Sequence, residues 1–245
     1  MRYFIEFAYK GTNYHGWQTQ PNAISVQEVL SAAMSTLLQK KITLIGAGRT
    51  DTGVHAKQMF AHFDYEFKIE NDYLVHKLNS FLPKDIAILA FYKVSDEAHA
   101  RFDATKRTYE YHIHLKKNAF ESHDSWYFRR ALNIDLMNTA CEILKTQTDF
   151  ECFSKVNTDV HTFNCTIETA IWEQNNNMLI FTISANRFLR NMVRAIVGTI
   201  INIGLEKISL SEFILIIESK DRKKAGFSVP AHGLYLTKVV YDYLE

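Results

Sequence analysis

The chain opens with a stretch that decides how the fold begins: Arg2–Lys10, with the sequence RYFIEFAYK. Its odd-numbered positions from 3 to 9 are aromatic or aliphatic, whereas Arg2, Glu6 and Lys10 are charged. Such alternation with a period of two predicts a β-strand with one buried face. The first element of the chain is therefore expected to be a strand of a sheet.

The rest of the first hundred residues predicts further alternation of helices and strands. A capping box at Ser25–Glu28 opens a helix whose apolar residues recur at helical spacing as far as Leu38. The elements predicted after it are strands at Ile42–Ile45, Met59–Phe67 and Asp85–Val94 and a helix at Tyr73–Phe81. The resulting order, β-α-β-β-α-β, is that of a ferredoxin-like or RNA-recognition-motif unit.

The second half repeats this theme with additions. Its predicted elements are a strand at Thr108–Leu115, a helix at Asp135–Gln147, a hairpin of Cys165–Gln174 and Met178–Asn186, helices at Leu189–Ile203 and Leu210–Ser219, and a closing strand at Gly233–Tyr243. The turn signal of that hairpin is Asn175–Asn177. The sequence therefore predicts an α+β fold of two similar halves, residues 1–104 and 105–245, although no sequence repeat relates them.

Composition places the chain among ordinary globular proteins. Of its 245 residues, 47% are hydrophobic and 22% are charged, so it can bury a substantial core. The three cysteines, Cys141, Cys152 and Cys165, form no C-x-x-C pair, which argues for reduced thiols that fill the core. The N-terminus lacks the features of a signal peptide, and no stretch has the length of a membrane span. A cytoplasmic location is therefore expected.

The overall charge gives only weak support for nucleic-acid binding, because the net charge is +1. The positive residues are nevertheless clustered, in Lys106–Arg107, Arg129–Arg130, Arg187–Arg194 and Lys220–Lys224. The run at Lys220–Lys224 is as typical of a solvated face as of an RNA contact. The arginines within Arg187–Arg194 interrupt an apolar helix, which favours a functional role for that group.

The segment that bears most directly on function is Gly46–Ala56, with the sequence GAGRTDTGVHA. Its glycines permit a tight turn, and a carboxylate beside a cation, as Asp51 is beside Arg49, stays ionised. An ionised carboxylate suits a nucleophile or a negative electrostatic stabiliser better than a general acid. A role for Asp51 in capping a turn is the alternative. An acid in the third glycine position argues against a dinucleotide-binding loop, and no Gly-Lys-Ser/Thr follows to make a Walker loop.

The whole chain resembles the bacterial tRNA pseudouridine synthase A family. The similar blocks occur in the family's order over nearly the full length; they are Tyr14–Gln20, Gly48–Ala56, Leu82–Ile86, Ala98–Phe102, Lys106–Tyr111, Arg187–Gly198 and Pro230–Leu236. The resemblance implies two α/β halves that share a central, mainly antiparallel sheet, with a cleft between them. Thr148 and Asp103 depart from the family pattern, which has a histidine and a small residue at these positions.

The resemblance also implies roles for particular side chains. Asp51 would be the catalytic nucleophile, and Arg194 would pair with it, with Arg190 as the competing arginine. Tyr109 would stack on the flipped uracil or relay its C5 proton, and Leu234 would form a wall of the base pocket. Addition of Asp51 to the ribose and removal of a 2′ proton by Asp51 are both open routes.

Several polar residues would contact RNA under the same resemblance. Arg49 would hold a phosphate or help to displace the target base. The remaining candidates, set near Tyr14 and Trp17 or on the strand of Tyr109, are Lys10, His15, Gln18, Gln20, Lys106 and Arg107. Basic and hydrogen-bonding residues interleaved with aromatic rings suit the tracking of an RNA backbone. A core position for Trp17 is the alternative.

The activity implied is the isomerisation of uridine to pseudouridine at positions 38, 39 and 40 of the tRNA anticodon stem-loop. The reaction involves no redox change and loses no group, so no metal or nucleotide cofactor is expected. A homodimer in which one tRNA contacts both subunits is also implied. Two other classes stay open, an RNA-binding module without catalysis and a nucleoside glycosylase. A second carboxylate near Asp51 would support a glycosylase, and the loop contains none.

Overall fold

The computed structural model describes residues 1–156 and 160–244. In the first part of the chain the elements are β1 (Arg2–Tyr9), α1 (Val26–Leu38), β2 (Ile45–Gly46), β3 (His55–Asp64), α2 (Asn71–Phe81) and β4 (Ile86–Val94). The later elements are β5 (Lys106–His114), β6 (Trp126–Tyr127), α3 (Ile134–Lys145), β7 (Ile167–Asn175), β8 (Met178–Ala185), α4 (Met192–Gly204), α5 (Leu210–Glu218) and β9 (Leu234–Val240). The predicted α+β class is confirmed by these elements.

The first of two compact units comprises residues 1–105 and the chain from Tyr235 onward. Its strands lie in the order β4-β1-β3-β9, with β2 beside β3. The pairs β1–β3, β1–β4 and β2–β3 are antiparallel, whereas β3 and β9 run parallel. Tyr3, Ile5, Phe7 and Tyr9 are buried, as the alternation of β1 predicts. Phe4, on the other face of β1, is also fully buried, and Phe63 of β3 is 2% exposed.

The second unit comprises residues 106–234. Its strands lie in the order β5-β8-β7, with both pairs antiparallel, and β6 pairs parallel with β5. The predicted Asn175–Asn177 turn joins β7 to β8, and Asn176 takes the positive φ of 54° that such turns require. Burial raises the pKa of the Cys141 thiol to about 12, which fits its expected place in the core.

The closing strand, β9, belongs mainly to the first unit, whereas the sequence analysis placed it in the second half, residues 105–245. In the structure β9 pairs with β3, and the Val239 N–H donates to the Gln58 side chain at 3.0 Å. The Tyr241 hydroxyl donates to the Ala100 carbonyl at 2.6 Å. These contacts join residues far apart in the chain, so the end of the chain packs with its beginning.

The predicted strand at Ile42–Ile45 is wrong over most of its length, because only Ile45 and Gly46 pair with β3. Side chains of α1 take the hydrogen-bonding groups that a strand would use. Ser35 Oγ accepts from the Ile42 N–H at 2.9 Å, and Gln27 donates to the Leu44 carbonyl at 2.8 Å. Ile42 and Leu44 are buried, whereas Ile45 is 45% exposed, and the backbone of this segment is held by α1 rather than by strand pairing.

No helix within residues 1–156 and 160–244 combines the length and the apolar character needed to cross a membrane.

His62 is a buried histidine on β3 that is held in its neutral form. Its Nδ1 accepts the Ala100 N–H at 3.1 Å, and its ring lies 4.5 Å from that of His99. Burial lowers the pKa of His62 to about 4, and the charges of His99 and Arg2 lower it further. An unfolded histidine titrates near pH 6.5, so the unfolded state takes up this proton first as the pH falls.

We therefore expect His62 to make the fold sensitive to acid between about pH 6.5 and 4. Each unit of pKa difference is worth about 1.4 kcal/mol, so the loss across this window is roughly 3 kcal/mol. His62→Asn keeps an acceptor for the Ala100 N–H but cannot titrate. The measurement is the free energy of unfolding in urea at pH 7.5 and 4.5 for both proteins. An equal drop in the two proteins would contradict the prediction.

Candidate active site

Asp51 lies in the loop between β2 and β3, and this loop is closed by its own backbone. The Ala47 N–H donates to the Phe60 carbonyl at 2.8 Å, and the Val54 N–H donates to the Asp51 carbonyl at 3.1 Å. Gly53 has a φ of +79°, which glycine adopts without strain. The Asp51 side chain is half-buried at this turn. The loop therefore presents its carboxylate from a defined backbone.

The segment that follows β1 pins the Asp51 loop from the side. The Tyr9 hydroxyl and Thr50 Oγ1 are hydrogen-bonded at 2.8 Å, and the Gly53 N–H donates to the Tyr14 carbonyl at 3.3 Å. A Cβ on Gly16, whose φ is +83°, would lie 2.3 Å from the Thr50 carbonyl oxygen. Only glycine fits there, so residues 14–16 and the Asp51 loop pack together closely.

Two aromatic residues beside the loop belong to the core. Trp17 is 2% exposed and stacks on Phe7 with ring centroids 5.2 Å apart, which confirms its alternative interpretation as a core residue. The Tyr14 hydroxyl donates to Asp85 at 2.6 Å. Burial and this carboxylate raise the pKa of Tyr14 well above its usual range. Neither ring is available to stack on an RNA base.

The polar residues predicted to contact RNA in this unit lie at its surface. Lys10, His15, Gln18 and Arg49 are all exposed, although the Lys10 backbone N–H donates to the Asp85 carbonyl at 2.9 Å. Gln20 is exposed as well, and its amide donates to the His15 carbonyl at 2.8 Å. These exposed side chains belong to the same unit as the Asp51 loop and are accessible to a ligand from solvent.

His55 is a residue of this site to which the sequence analysis gave no role. It is 1% exposed, its Nδ1 accepts the Gly11 N–H at 3.0 Å, and its ring stacks on Tyr235 at 4.6 Å. Lys57 Nζ lies 5.4 Å from the centre of the same tyrosine ring. The histidine in the G-V-H-A motif was the available signal. His55 is four residues after Asp51, so its stacking on Tyr235 connects the Asp51 loop to β9.

In the second unit Tyr109 lies half-buried on β5, with its ring edge-on to Phe188 at 5.1 Å and 88°. Phe188 belongs to a motif noted in the sequence, but no role was expected for it. Tyr111, two residues along the same face of the strand, is fully buried and donates to the Pro230 carbonyl at 2.9 Å. Tyr109 is thus the more accessible of the two tyrosines on β5. Leu234, which was expected to form a wall of the base pocket, is also buried, at 6% exposure.

Arg194 lies in the first turn of α4 and is held by the chain that crosses this helix. Its Nε donates to the Val229 carbonyl at 2.7 Å, and the Val229 N–H donates back to the Arg194 carbonyl at 3.3 Å. Arg190 is exposed and precedes the helix, which begins only at Met192 because Asn191 takes a φ of +67°. Of the two arginines, Arg194 is therefore the more buried.

Residues 222–230, here called the strap, cross α4 at a glycine. The Gly226 N–H donates to Thr199 Oγ1 at 2.8 Å, and a Cβ on Gly198 would lie 1.8 Å from the Phe227 carbonyl oxygen. Arg222 donates to the Gly226 carbonyl and to Ser228 Oγ, both at 2.9 Å. One arginine of the basic run at 220–224 thus has a structural task that its sequence pattern did not indicate.

The basic residues at the start of β5 make contacts within the protein. Lys106 Nζ lies 2.6 Å from a carboxylate oxygen of Glu168, and Arg107 donates to the Asn186 carbonyl at 3.0 Å. Both side chains are half-buried. A role in RNA binding would require them to contact RNA in addition to these partners.

Comparison with known proteins identifies the class of enzyme. A family model described as tRNA pseudouridine synthase matches residues 6–103 and 140–242, which include Asp51 and Arg194. The chain belongs to this family of tRNA pseudouridine synthases. Because pseudouridine is an isomer of uridine, it is an isomerase that acts on tRNA. The family resemblance stated from the sequence is confirmed.

Individual relatives match over almost their whole length. The chain is 48% identical to the tRNA pseudouridine synthase A of Parabacteroides distasonis, over 98% of this chain and 96% of the relative. It is 50% identical to the protein of the same name from Bacteroides fragilis, with the same coverage. Identity to that of a Thermoanaerobacter species is 42%, over 97% of this chain and 98% of the relative.

Proposed function

We propose that this chain converts uridine to pseudouridine at positions 38, 39 and 40 of the tRNA anticodon stem-loop. The observation that carries the proposal is the family match over two segments, the first with Asp51 and the second with Arg194. Relatives about half identical over nearly the whole chain carry the name tRNA pseudouridine synthase A. The pinned loop of Asp51 and the half-buried ring of Tyr109 are suited to this reaction.

Asp51 is the group that starts the reaction in this proposal. Pseudouridine forms when the C1′–N1 bond of uridine breaks and the uracil, after rotation, rejoins the ribose through C5. A carboxylate serves as the nucleophile or base for this step when it is held in one orientation. The contacts of Thr50 and Gly53 to the segment after β1 supply that rigidity.

Tyr109 is the stacking platform for the flipped uracil. An enzyme that acts on a base takes it out of its stack, at a cost of a few kcal/mol. Stacking on an aromatic ring recovers roughly 1–3 kcal/mol per base. The Phe188 ring packs edge-on against Tyr109 within the same unit and supports this platform. Leu234 is proposed to supply apolar surface to the base pocket. It lies four residues after Pro230, whose carbonyl accepts the hydrogen bond of Tyr111.

Arg194 is proposed to pair with the Asp51 carboxylate. The hydrogen bond from its Nε holds the Arg194 guanidinium in one orientation, and an arginine–carboxylate pair fixes the orientation of the acid. The greater burial of Arg194 supports this role for Arg194 rather than for Arg190. Arg49, Lys10 and Gln18 are proposed to contact the RNA around the loop, and Lys106 and Arg107 to contact it beside Tyr109.

The enzyme is further proposed to act in the cytoplasm as a homodimer. On α5, Phe213 and Ile217 are buried, whereas Leu215 is 63% exposed and Ile214 is 37% exposed. An exposed apolar strip on a helix that is otherwise anchored in the core supports contact with a second copy. The three cysteines are buried and unpaired, which suits a reducing compartment.

The test of the proposed function is a map of pseudouridine in tRNA treated with the enzyme. Three unmodified tRNA transcripts are used, and each has uridine at only one of positions 38, 39 and 40. Each transcript is incubated with the protein and then examined by carbodiimide labelling and primer extension. We expect one new stop in each transcript, with the RNA mass unchanged. Release of free uracil would instead indicate a glycosylase, and binding without either change would indicate an RNA-binding module.

A further inference from the structure

A second basic surface lies on the second unit, at the end of β5 that is remote from Lys106. The residues after β5 include Lys116 and Lys117, and those after β6 include Arg129 and Arg130. All four side chains are exposed. β5 and β6 run parallel, with His114 opposite Tyr127, so both basic pairs follow their strands at the same end of the sheet. The Phe128 N–H donates to the His114 carbonyl at 3.0 Å and holds the two chains together.

The same surface contains a depression of about 430 Å³ whose lining suits a sugar–phosphate backbone. Its polar lining comes from Lys116, Lys117, Asn118 and the three asparagines 175–177. Ammonium and amide groups are donors to phosphate and ribose oxygens. Glu121 also faces the depression and is the one acidic residue among those that line it.

Exposed aromatic rings flank the basic residues. Tyr127 is 39% exposed and stacks on His114, with ring centroids 5.2 Å apart and an angle of 15°. Phe120 is 93% exposed on the chain that joins β5 to β6. Aromatic rings among cations are typical of surfaces that bind RNA, since the cations neutralise phosphates and the rings stack on bases or pack on riboses.

We propose that this surface, formed by Lys116, Lys117, Arg129, Arg130 and Tyr127, binds the backbone of tRNA away from the target uridine. The inference rests on the proposed function, since it concerns the same substrate. Lys116 is seven residues beyond Tyr109, which corresponds to about 20 Å along an extended chain. A contact at that distance holds the tRNA without touching the base that reacts. It therefore contributes to affinity and not to the chemical step.

The experiment compares Lys116→Gln/Lys117→Gln with Lys68→Gln/Lys93→Gln, a control that removes two exposed charges from the first unit. We expect the first variant to raise KM for full-length tRNA roughly tenfold at about 0.1 M salt, with kcat unchanged. The slope of log affinity against log salt should fall by about 2, one for each lost phosphate contact. Glu121→Gln should lower KM.

Two outcomes would overturn the proposal: equal KM and salt slopes for the two double variants, or a loss in kcat with KM unchanged. Direct tRNA binding by Asp51→Asn protein carrying the same double substitutions keeps this test independent of catalysis. If the wild-type enzyme made no pseudouridine, the proposed function would fail, but the comparison of tRNA affinity would still decide the role of this surface.

Discussion

Replacement of Asp51 by asparagine is expected to abolish pseudouridine formation. Asparagine has nearly the same size, so the turn that closes through the Asp51 carbonyl and the Val54 N–H will be kept. The amide lacks the charge and the nucleophilicity of the carboxylate. Removal of an essential nucleophile typically lowers the rate by roughly 10⁴-fold or more. Single-turnover measurement of pseudouridine in a tRNA transcript will record the loss.

The matched control for this prediction is Thr52→Ala, which changes the next residue of the same loop. Thr52 is exposed, so its substitution should leave the rate within roughly threefold of wild type and the thermal midpoint unchanged. Asp51→Asn should also retain tRNA affinity and thermal stability. An Asp51→Asn enzyme with more than about a tenth of the wild-type rate would show that another group performs the chemistry.

The second large effect is expected at Gly198, where alanine should destabilise the protein by roughly 3 kcal/mol. In an unobstructed helix the same change would stabilise by about 1 kcal/mol, because alanine is the better helix former. Here the new methyl group would lie 1.8 Å from the Phe227 carbonyl oxygen, so either the strap or α4 must move. Thermal unfolding should show a midpoint lowered by about 10 °C.

Gly204→Ala in the same helix is the control for the predicted loss of stability at Gly198. A Cβ at Gly204 would lie 2.5 Å from the sulfur of Met137, a flexible side chain that can shift. Its cost should be below about 1 kcal/mol. Displacement of the strap would also disturb the Val229 carbonyl that holds Arg194, so Gly198→Ala should lose activity even well below its melting midpoint. Equal stability of the two variants would contradict the proposed crossing.

Local patterns were sufficient for most of the secondary structure. The period-two alternation of β1 and the asparagine turn between β7 and β8 depend on neighbouring residues alone, and both agree with the structure. The segment at Ile42–Ile45 did not follow its pattern, because Ser35 and Gln27 of α1 take two of its backbone groups. Whether side chains replace strand pairing in this way depends on which helix packs against the segment, so a short sequence pattern does not predict it.

For the candidate site, too, some features followed from the sequence and others only from the structure. The sequence by itself determined the family, since the type and order of residues in blocks such as Gly48–Ala56 suffice for it; the role of Asp51 stays a prediction. Only the tertiary structure decided that Trp17 and Tyr14 are core residues, that His55 ties the loop to β9, and that Arg194 is anchored on the strap. The physical reason is that burial and hydrogen-bond partners are set by contacts between residues far apart in the chain, which are made only when the chain folds.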